Sequence, residues 1–333
     1  MIPATTRAMR IGAPHSPLAL ETVDLPPLGA QQVLLEVTAC GVCRTDLHVL
    51  DGELPNARYP VTPGHEIVGR VLAVGGPDVP FAPGDRVGVP WLGSSCGRCR
   101  YCLLGLENLC ERAQFTGCTI DGGYAEHAIA DARYCFAIPA RYSDERAAPL
   151  LCAGLIGFRA YRATGGARNL GLYGFGAAAH LLAQLARGDG RRVFAFTRRG
   201  DRKAQTFALD LGAAWAGDSQ SRPPEELDAA IIFAPVGDLV PAALAATRKG
   251  GRVVCAGIHM SDIPSFPYRL LWGERTIQSV ANLTRSDGAD FMRAAAQIQL
   301  EPAVETFALA DANRALERLR GGELRGAAVL KMA

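Results

Sequence analysis

An excess of charge of either sign is nearly absent from this chain: Lys and Arg total 35 against 33 Asp and Glu, a formal net charge of +2 over 333 residues. That balance gives no electrostatic footing for nucleic acid or an anionic membrane surface as a partner. No apolar run approaches the ~18 residues a membrane span needs. The first ten residues, Met1 to Arg10, carry no apolar core behind a basic start, so a secretory signal is not expected and a cytoplasmic location is. Internal repeats and low-complexity segments are missing as well. Fibres, disordered tails, membrane proteins and chromatin binders are thereby set aside. What remains is a globular composition, 49% hydrophobic and 20% charged, long enough for about two domains.

Cysteine is present in number and unevenly placed. Four of the ten, Cys96, Cys99, Cys102 and Cys110, fall within fifteen residues. That is too tight for a spread disulfide framework in so long a chain, and reduced thiolates around a metal are the better reading. Four thiolates in a compact loop surround a tetrahedral Zn²⁺ at about 2.3 Å each and close it to solvent, which makes such a site structural. Cys43, His65 and Cys152 form a sparser set: two sulfurs and one imidazole leave a fourth position open, as catalytic zinc requires. An open zinc binds an alcohol oxygen as a Lewis acid and lowers its pKa. Spacing alone does not separate this set from ordinary core residues.

The organisation of the chain changes near residue 150. Before it, short apolar runs at 33–38, 67–74, 86–89 and 124–129 alternate with turn signals such as Pro63-Gly64 and Pro83-Gly84-Asp85, which reads as a β-rich, barrel-like domain. After it, strand candidates at 169–173, 192–197, 229–234, 252–256 and 276–281 alternate with helical patterns at 177–187, 202–211 and 239–247. Strands alternating with helices imply parallel βαβ units and a doubly wound α/β domain. A helix at 311–321 and a strand at 327–331 close the chain.

Gly174-Phe-Gly176-Ala-Ala-Ala179 follows the first of these strands and opens a helix, as a dinucleotide fingerprint with Ala in its last slot would. Its glycines permit a tight turn and close approach of a pyrophosphate to the helix N-terminus. The acid expected about 20 residues on, at the end of the second strand, is missing. That strand ends in Thr197-Arg198-Arg199. Arginines there pair with a 2′-phosphate, which favours NADP(H) over NAD(H), or they solvate a surface loop.

Together these pieces resemble the zinc-dependent alcohol dehydrogenases of the medium-chain dehydrogenase/reductase superfamily. The match runs along nearly the whole chain, through Cys40-Gly-Val-Cys43-Arg-Thr-Asp-Leu-His48, Gly64-His65-Glu66, the four-Cys lobe, Ala148-Pro-Leu-Leu-Cys152-Ala-Gly154 and the Gly-rich turn. The resemblance implies an α/β fold with a GroES-like catalytic domain at 1–150 and 283–333. It would carry the structural zinc lobe at about 91–111, with a Rossmann domain of doubly wound parallel sheet at 151–282. It implies two Zn²⁺ per chain, with Cys43, His65 and Cys152 on the catalytic ion and Glu66 able to approach it during ligand exchange. Asp46 would orient the zinc histidine. Thr45 would take the alcohol proton and pass it through a cofactor ribose hydroxyl to His48. Arg44 matches the pyrophosphate contact and Trp91 the aromatic wall of the pocket. One departure from the yeast-type pattern is Gly326-Ala327 in place of Gly-Arg, which removes a cofactor-contacting arginine. Expected partners are a small alcohol or aldehyde and further copies of the chain, as a homotetramer or homodimer. Polyol or glutathione-adduct dehydrogenases, and a non-catalytic NADPH-binding sensor, are the alternatives. Cys40, Cys118, Cys135 and Cys255 have no place in the pattern and read as small buried hydrophobes.

Overall fold

The computed structural model describes residues 2–332. The chain divides into two units: one from the N-terminal side through Cys152, with Leu283–Gln297 and the segment from Glu301 onward, and one of Ala153–Asn282 with Ile298–Leu300.

The first unit opens with a hairpin, β1 (Thr5–Arg10) and β2 (Ala19–Asp24), then the long strand β3 (Gln32–Val42) and the short helix α1 (Arg44–Leu50). β4 (Ile67–Val74), β5 (Arg86–Val89) and β6 (Leu92–Ser94) follow, then α2 (Arg100–Leu103), β7 (Gln114–Phe115), β8 (His127–Asp131), β9 (Phe136–Ala137) and α3 (Asp144–Ala147). β3 and β4 meet antiparallel, and both are rich in β-branched residues that bury Val33, Leu35, Val37, Ile67 and Val71 in one core. Gly69 is required in β4, because a Cβ there would stand 2.5 Å from the Glu36 carbonyl oxygen. The expected strand at 124–129 begins only at His127. Tyr124 is instead drawn into the loop below it, donating its N–H to the Pro63 carbonyl and accepting at its own carbonyl from Met9.

In the second unit α4 (Ala153–Ala163) leads into β10 (Asn169–Tyr173), α5 (Ala177–Gly188), β11 (Arg192–Thr197), α6 (Arg202–Asp210), β12 (Trp215–Asp218), β13 (Leu227–Ile232), α7 (Leu239–Ala246), β14 (Thr247–Cys255) and β15 (Thr276–Ser279). All five strand pairings are parallel, in the order β12-β11-β10-β13-β14-β15. Central strands covered on both faces read as continuous apolar runs, and β13 buries Ala229, Ala230, Ile231 and Ile232 in succession. Tyr173 stacks on Phe196 with ring centroids 4.0 Å apart. The reading of the chain as α/β with a parallel doubly wound sheet is borne out.

The chain then returns to the first unit with α8 (Arg285–Gln297), β16 (Val304–Ala308), α9 (Ala312–Gly321) and β17 (Ala327–Lys331). α9 ends in Gly322 at φ 69°, the left-handed cap that suits glycine. β17 sits between β16 and β3, completing a seven-stranded sheet in which β8 also pairs with β3. Among the described residues no helix is long and apolar enough to cross a membrane.

Candidate functional site

The site in the first unit grows from the start of α1. Asp46, at the third position of that helix, turns back and accepts from the Cys43 N–H at 2.8 Å, an acidic cap that also suits the helix dipole. Its carboxylate is fully buried and takes three further donors: Gly64 N–H at 3.2 Å, Tyr124 hydroxyl at 3.1 Å and His65 Nδ1 at 3.2 Å. Four donors satisfy both oxygens, as a fully buried carboxylate requires. With Nδ1–H given to Asp46, Nε2 of His65 is left as the electron-pair donor. Gly64, at φ 97°, has no room for a side chain, since a Cβ would meet the Tyr124 ring at 2.3 Å.

Nε2 of His65 stands 3.3 Å from Cys152 Sγ, and Cys152 Sγ stands 3.7 Å from Cys43 Sγ. Glu66 completes a group of four whose ligand atoms all lie within 4.8 Å of one another. All ten cysteines are free. A sulfur separation of 3.7 Å is far beyond a disulfide and close to the ~3.8 Å between two ligands of a tetrahedral ion with bonds of about 2.3 Å. The residues therefore fit zinc. The Cys43 thiol is driven well down by its hydrogen bond with Cys152, and the Cys152 thiol correspondingly up. Burial, and then the charge on Cys43, raise the Glu66 carboxyl well above its ordinary range. Glu66 reaches this position only because residue 41 is glycine: a Cβ on Gly41 would lie 1.8 Å from its carboxylate.

The remaining residues of this region fall around that group. The buried Thr45 hydroxyl is 3.7 Å from Cys43 Sγ, and Arg44 beside it is exposed. His48, one turn further along α1, hydrogen-bonds through Nδ1 to Glu53, whose side chain is 44% exposed. Trp91 sets its ring edge against His65 at 5.1 Å and is backed by Phe115, stacked at 5.2 Å. Gly41, Glu53, Phe115 and Tyr124 are contributors that spacing did not reveal; only Gly41, inside the Cys40–His48 run, lies where a local signal existed.

The other four cysteines converge separately, after β6 and through α2. Cys96 and Cys102 sulfurs are 3.9 Å apart and those of Cys99 and Cys102 3.5 Å, with Cys110 in the same group. Ser95 lies 3.3 Å from Cys102 Sγ. The backbone N–H of Arg98, and then that of Cys99, hold the Cys96 thiol down at about 5, as a thiolate ligand requires. The lobe is anchored where Glu107 accepts from both the backbone and the guanidinium of Arg285.

In the second unit the Gly-rich turn joins β10 to α5. Gly174 has φ 90°, and a Cβ there would also press on the Ala234 backbone nitrogen at 2.9 Å, so glycine is required twice over. Gly176 faces open space, so nothing of the protein stands where a ligand would approach the backbone. Ala179 is fully buried in α5. The first-turn N–H groups of α5 have no intrahelical acceptor and suit an anion. The turn therefore fits a dinucleotide pyrophosphate. At the end of β11, Thr197 is buried, whereas Arg198 and Arg199 are exposed; Arg198 is 3.7 Å from Asp201.

Residues 29–140 match the alcohol dehydrogenase GroES-like domain. The chain is 46% identical to the "Probable alcohol dehydrogenase AdhA" of Mycobacterium tuberculosis, with 98% of this chain and 99% of that one covered. An alcohol dehydrogenase of Geobacillus stearothermophilus is 36% identical over 95% of this chain and 96% of its own length. Among solved structures, a cinnamyl alcohol dehydrogenase of Sorghum bicolor superposes with a TM-score of 0.90 at 27% identity, covering 98% and 97% of the two chains.

Proposed function

The chain belongs to the zinc-type, medium-chain alcohol dehydrogenases, and from that membership we propose a specific enzyme: one with two Zn²⁺ per chain that interconverts primary or secondary alcohols with aldehydes or ketones, using NADP(H) in preference to NAD(H). The observation that carries this reading is the convergence of Cys43, His65 and Cys152, with Glu66 beside them, at distances a single ion would bridge. Cys96, Cys99, Cys102 and Cys110 hold the second, structural ion, a closed set with no position left for substrate.

A catalytic ion bound there would supply Lewis acidity toward the alcohol oxygen, and a bound nicotinamide dinucleotide would supply the hydride acceptor. The protein's own residues do the rest. Asp46 fixes the His65 tautomer. Thr45, buried beside Cys43, takes the alcohol proton. His48 passes that proton outward, and its Nδ1 is already bonded to Glu53 at the edge of solvent. Glu66 stands ready to approach the ion as water and substrate exchange. Trp91, braced by Phe115, narrows the substrate side of the site. Gly174, Gly176 and the start of α5 would receive the cofactor pyrophosphate. Arg198 and Arg199 meet the 2′-phosphate, where an acid would have met a free hydroxyl. The cytoplasm suits ten reduced thiols.

The test is steady-state reduction of a panel of aliphatic and aromatic aldehydes by the zinc-loaded protein, run in parallel with NADPH and NADH. Turnover with NADPH preferred is expected, abolished by Cys43→Ser. Replacing Arg198 and Arg199 by Ala should weaken NADPH selectively, by roughly 1–3 kcal/mol for the loss of charge-assisted bonds. Full turnover by Cys43→Ser removes the zinc mechanism, and an equal loss on both cofactors removes the 2′-phosphate argument.

A further inference from the structure

The end of β11 is closed by a side-chain network that the Gly-rich and arginine motifs do not announce. Gln205, buried in the first turns of α6, donates through Nε2 to Thr197 Oγ1 at 3.1 Å and to Asp218 Oδ1 at 3.0 Å. Its carbonyl oxygen accepts from the Arg202 guanidinium at 3.2 Å, so the amide has a partner at both ends. Asp218, at the end of β12 and in register with Thr197, uses that same Oδ1 to accept from the Gly200 N–H at 3.0 Å. Gly200 has φ 75°. The turn from Arg198 to Asp201 is therefore held from below at Gly200 and from behind at Thr197, and closed by the Asp201 N–H on the Arg198 carbonyl at 3.1 Å.

The geometry points to Gln205 and Asp218 as positioning residues for cofactor discrimination. We propose that they fix the turn so that Arg198, Arg199 and Arg202 present their cations together to the adenosine 2′-phosphate. This deepens the NADP(H) reading and rests on it. Asp218 is an acid one strand removed from where a ribose-binding acid would stand. One of its oxygens is committed to two donors within the protein, so it braces the turn rather than supplying the missing acid. Exposed arginines on an unbraced turn would lose side-chain and backbone freedom on meeting a phosphate, and bracing removes part of that cost beforehand.

The experiment measures kcat/KM for NADPH and NADH in the zinc-loaded parent and in Gln205→Leu, Asp218→Ala and Asp218→Asn. Gln205→Leu keeps most of the side-chain volume and carries the test even where Asp218→Ala fails to fold. For Gln205→Leu and Asp218→Ala, kcat/KM with NADPH is expected to fall about tenfold, the scale of one or two net hydrogen bonds, with NADH changed less than about twofold. Asp218→Asn keeps the Oδ1 acceptor and loses only the charge, so it is expected to retain the parent's preference. Equal losses on both cofactors, no loss on either, or an Asn variant as impaired as the Ala one would overturn the bracing role. A parent that prefers NADH would instead overturn the cofactor reading itself, and the bracing role with it. The parent's ratio thus tests one claim and the variants' ratios the other.

Discussion

At the scale of single residues, the site depends on one carboxylate meeting four donors. Asn in place of Asp46 offers one acceptor oxygen and turns an NH₂ toward groups that are themselves donors, so either the Gly64 and His65 pair or the Cys43 and Tyr124 pair loses its acceptor, and the bracing of His65 is weakened. Asp46→Asn is expected to weaken zinc at the Cys43–His65–Cys152 site by about 10–100-fold. Competition against a chromophoric chelator reads this directly, and an unchanged affinity would show that the tautomer is fixed by something else. The residues of α1 and of the Gly64-His65-Glu66 run were legible because each lies in a short, ordered run. Tyr124 was not, being 78 positions from Asp46 in the chain, nor was Phe115, which matters only by stacking behind Trp91. Local spacing carries no information about a partner that folding alone delivers.

At the scale of elements, strands flanked by glycine and proline were the easiest to read: β4, β5, β10, β11 and β17 occupy the expected residues. The elements that escaped have physical reasons for doing so. β2 is largely exposed and so has no apolar alternation. α8 contains Gly288, which reads as a helix breaker but is there because a Cβ would lie 2.1 Å from the Phe136 ring. The pairing of β13 with β10 has a charged fastener that gives the second unit a pH dependence. Asp228 accepts from the backbone N–H groups of Arg168 and Asn169, each at 2.8 Å, and from the Arg248 guanidinium. Burial alone would raise its pKa, but Arg248 and the two N–H groups outweigh burial and hold it below the usual carboxylate range. A depressed folded-state pKa stabilises above the unfolded value, and that stability is lost as pH falls through the folded one. Asp228→Asn should therefore cost roughly 1–3 kcal/mol at neutral pH. The gap to the parent should close as the pH drops below the usual carboxylate range. Denaturant titrations at several pH values test this; a gap independent of pH would mean the carboxylate's charge contributes nothing.

At the scale of the whole molecule, the second unit leaves Tyr268 and Trp272 each 66% exposed, edge to face at 5.7 Å, in a shallow cavity shared with Lys249, Leu271 and Arg275. An exposed aromatic pair of this kind is a candidate contact between copies of the chain. It supports the proposal that the protein works as a homotetramer or homodimer. Trp272→Glu is expected to reduce the oligomer in sedimentation velocity, and an unaltered sedimentation coefficient would move the contact elsewhere. The first unit's sheet has a consequence of a different kind, in time during synthesis. β3 needs β17 as its neighbour, yet the ribosome reaches β17 nearly three hundred residues later, with the whole second unit in between. At about 5–20 residues per second, roughly 9 to 35 seconds separate the emergence of Cys152 from that of β17. The nucleotide-fold unit, nearly continuous in sequence, can be complete first. Meanwhile the proposed zinc ligands Cys43, His65 and Cys152 belong to a unit whose sheet is still unfinished.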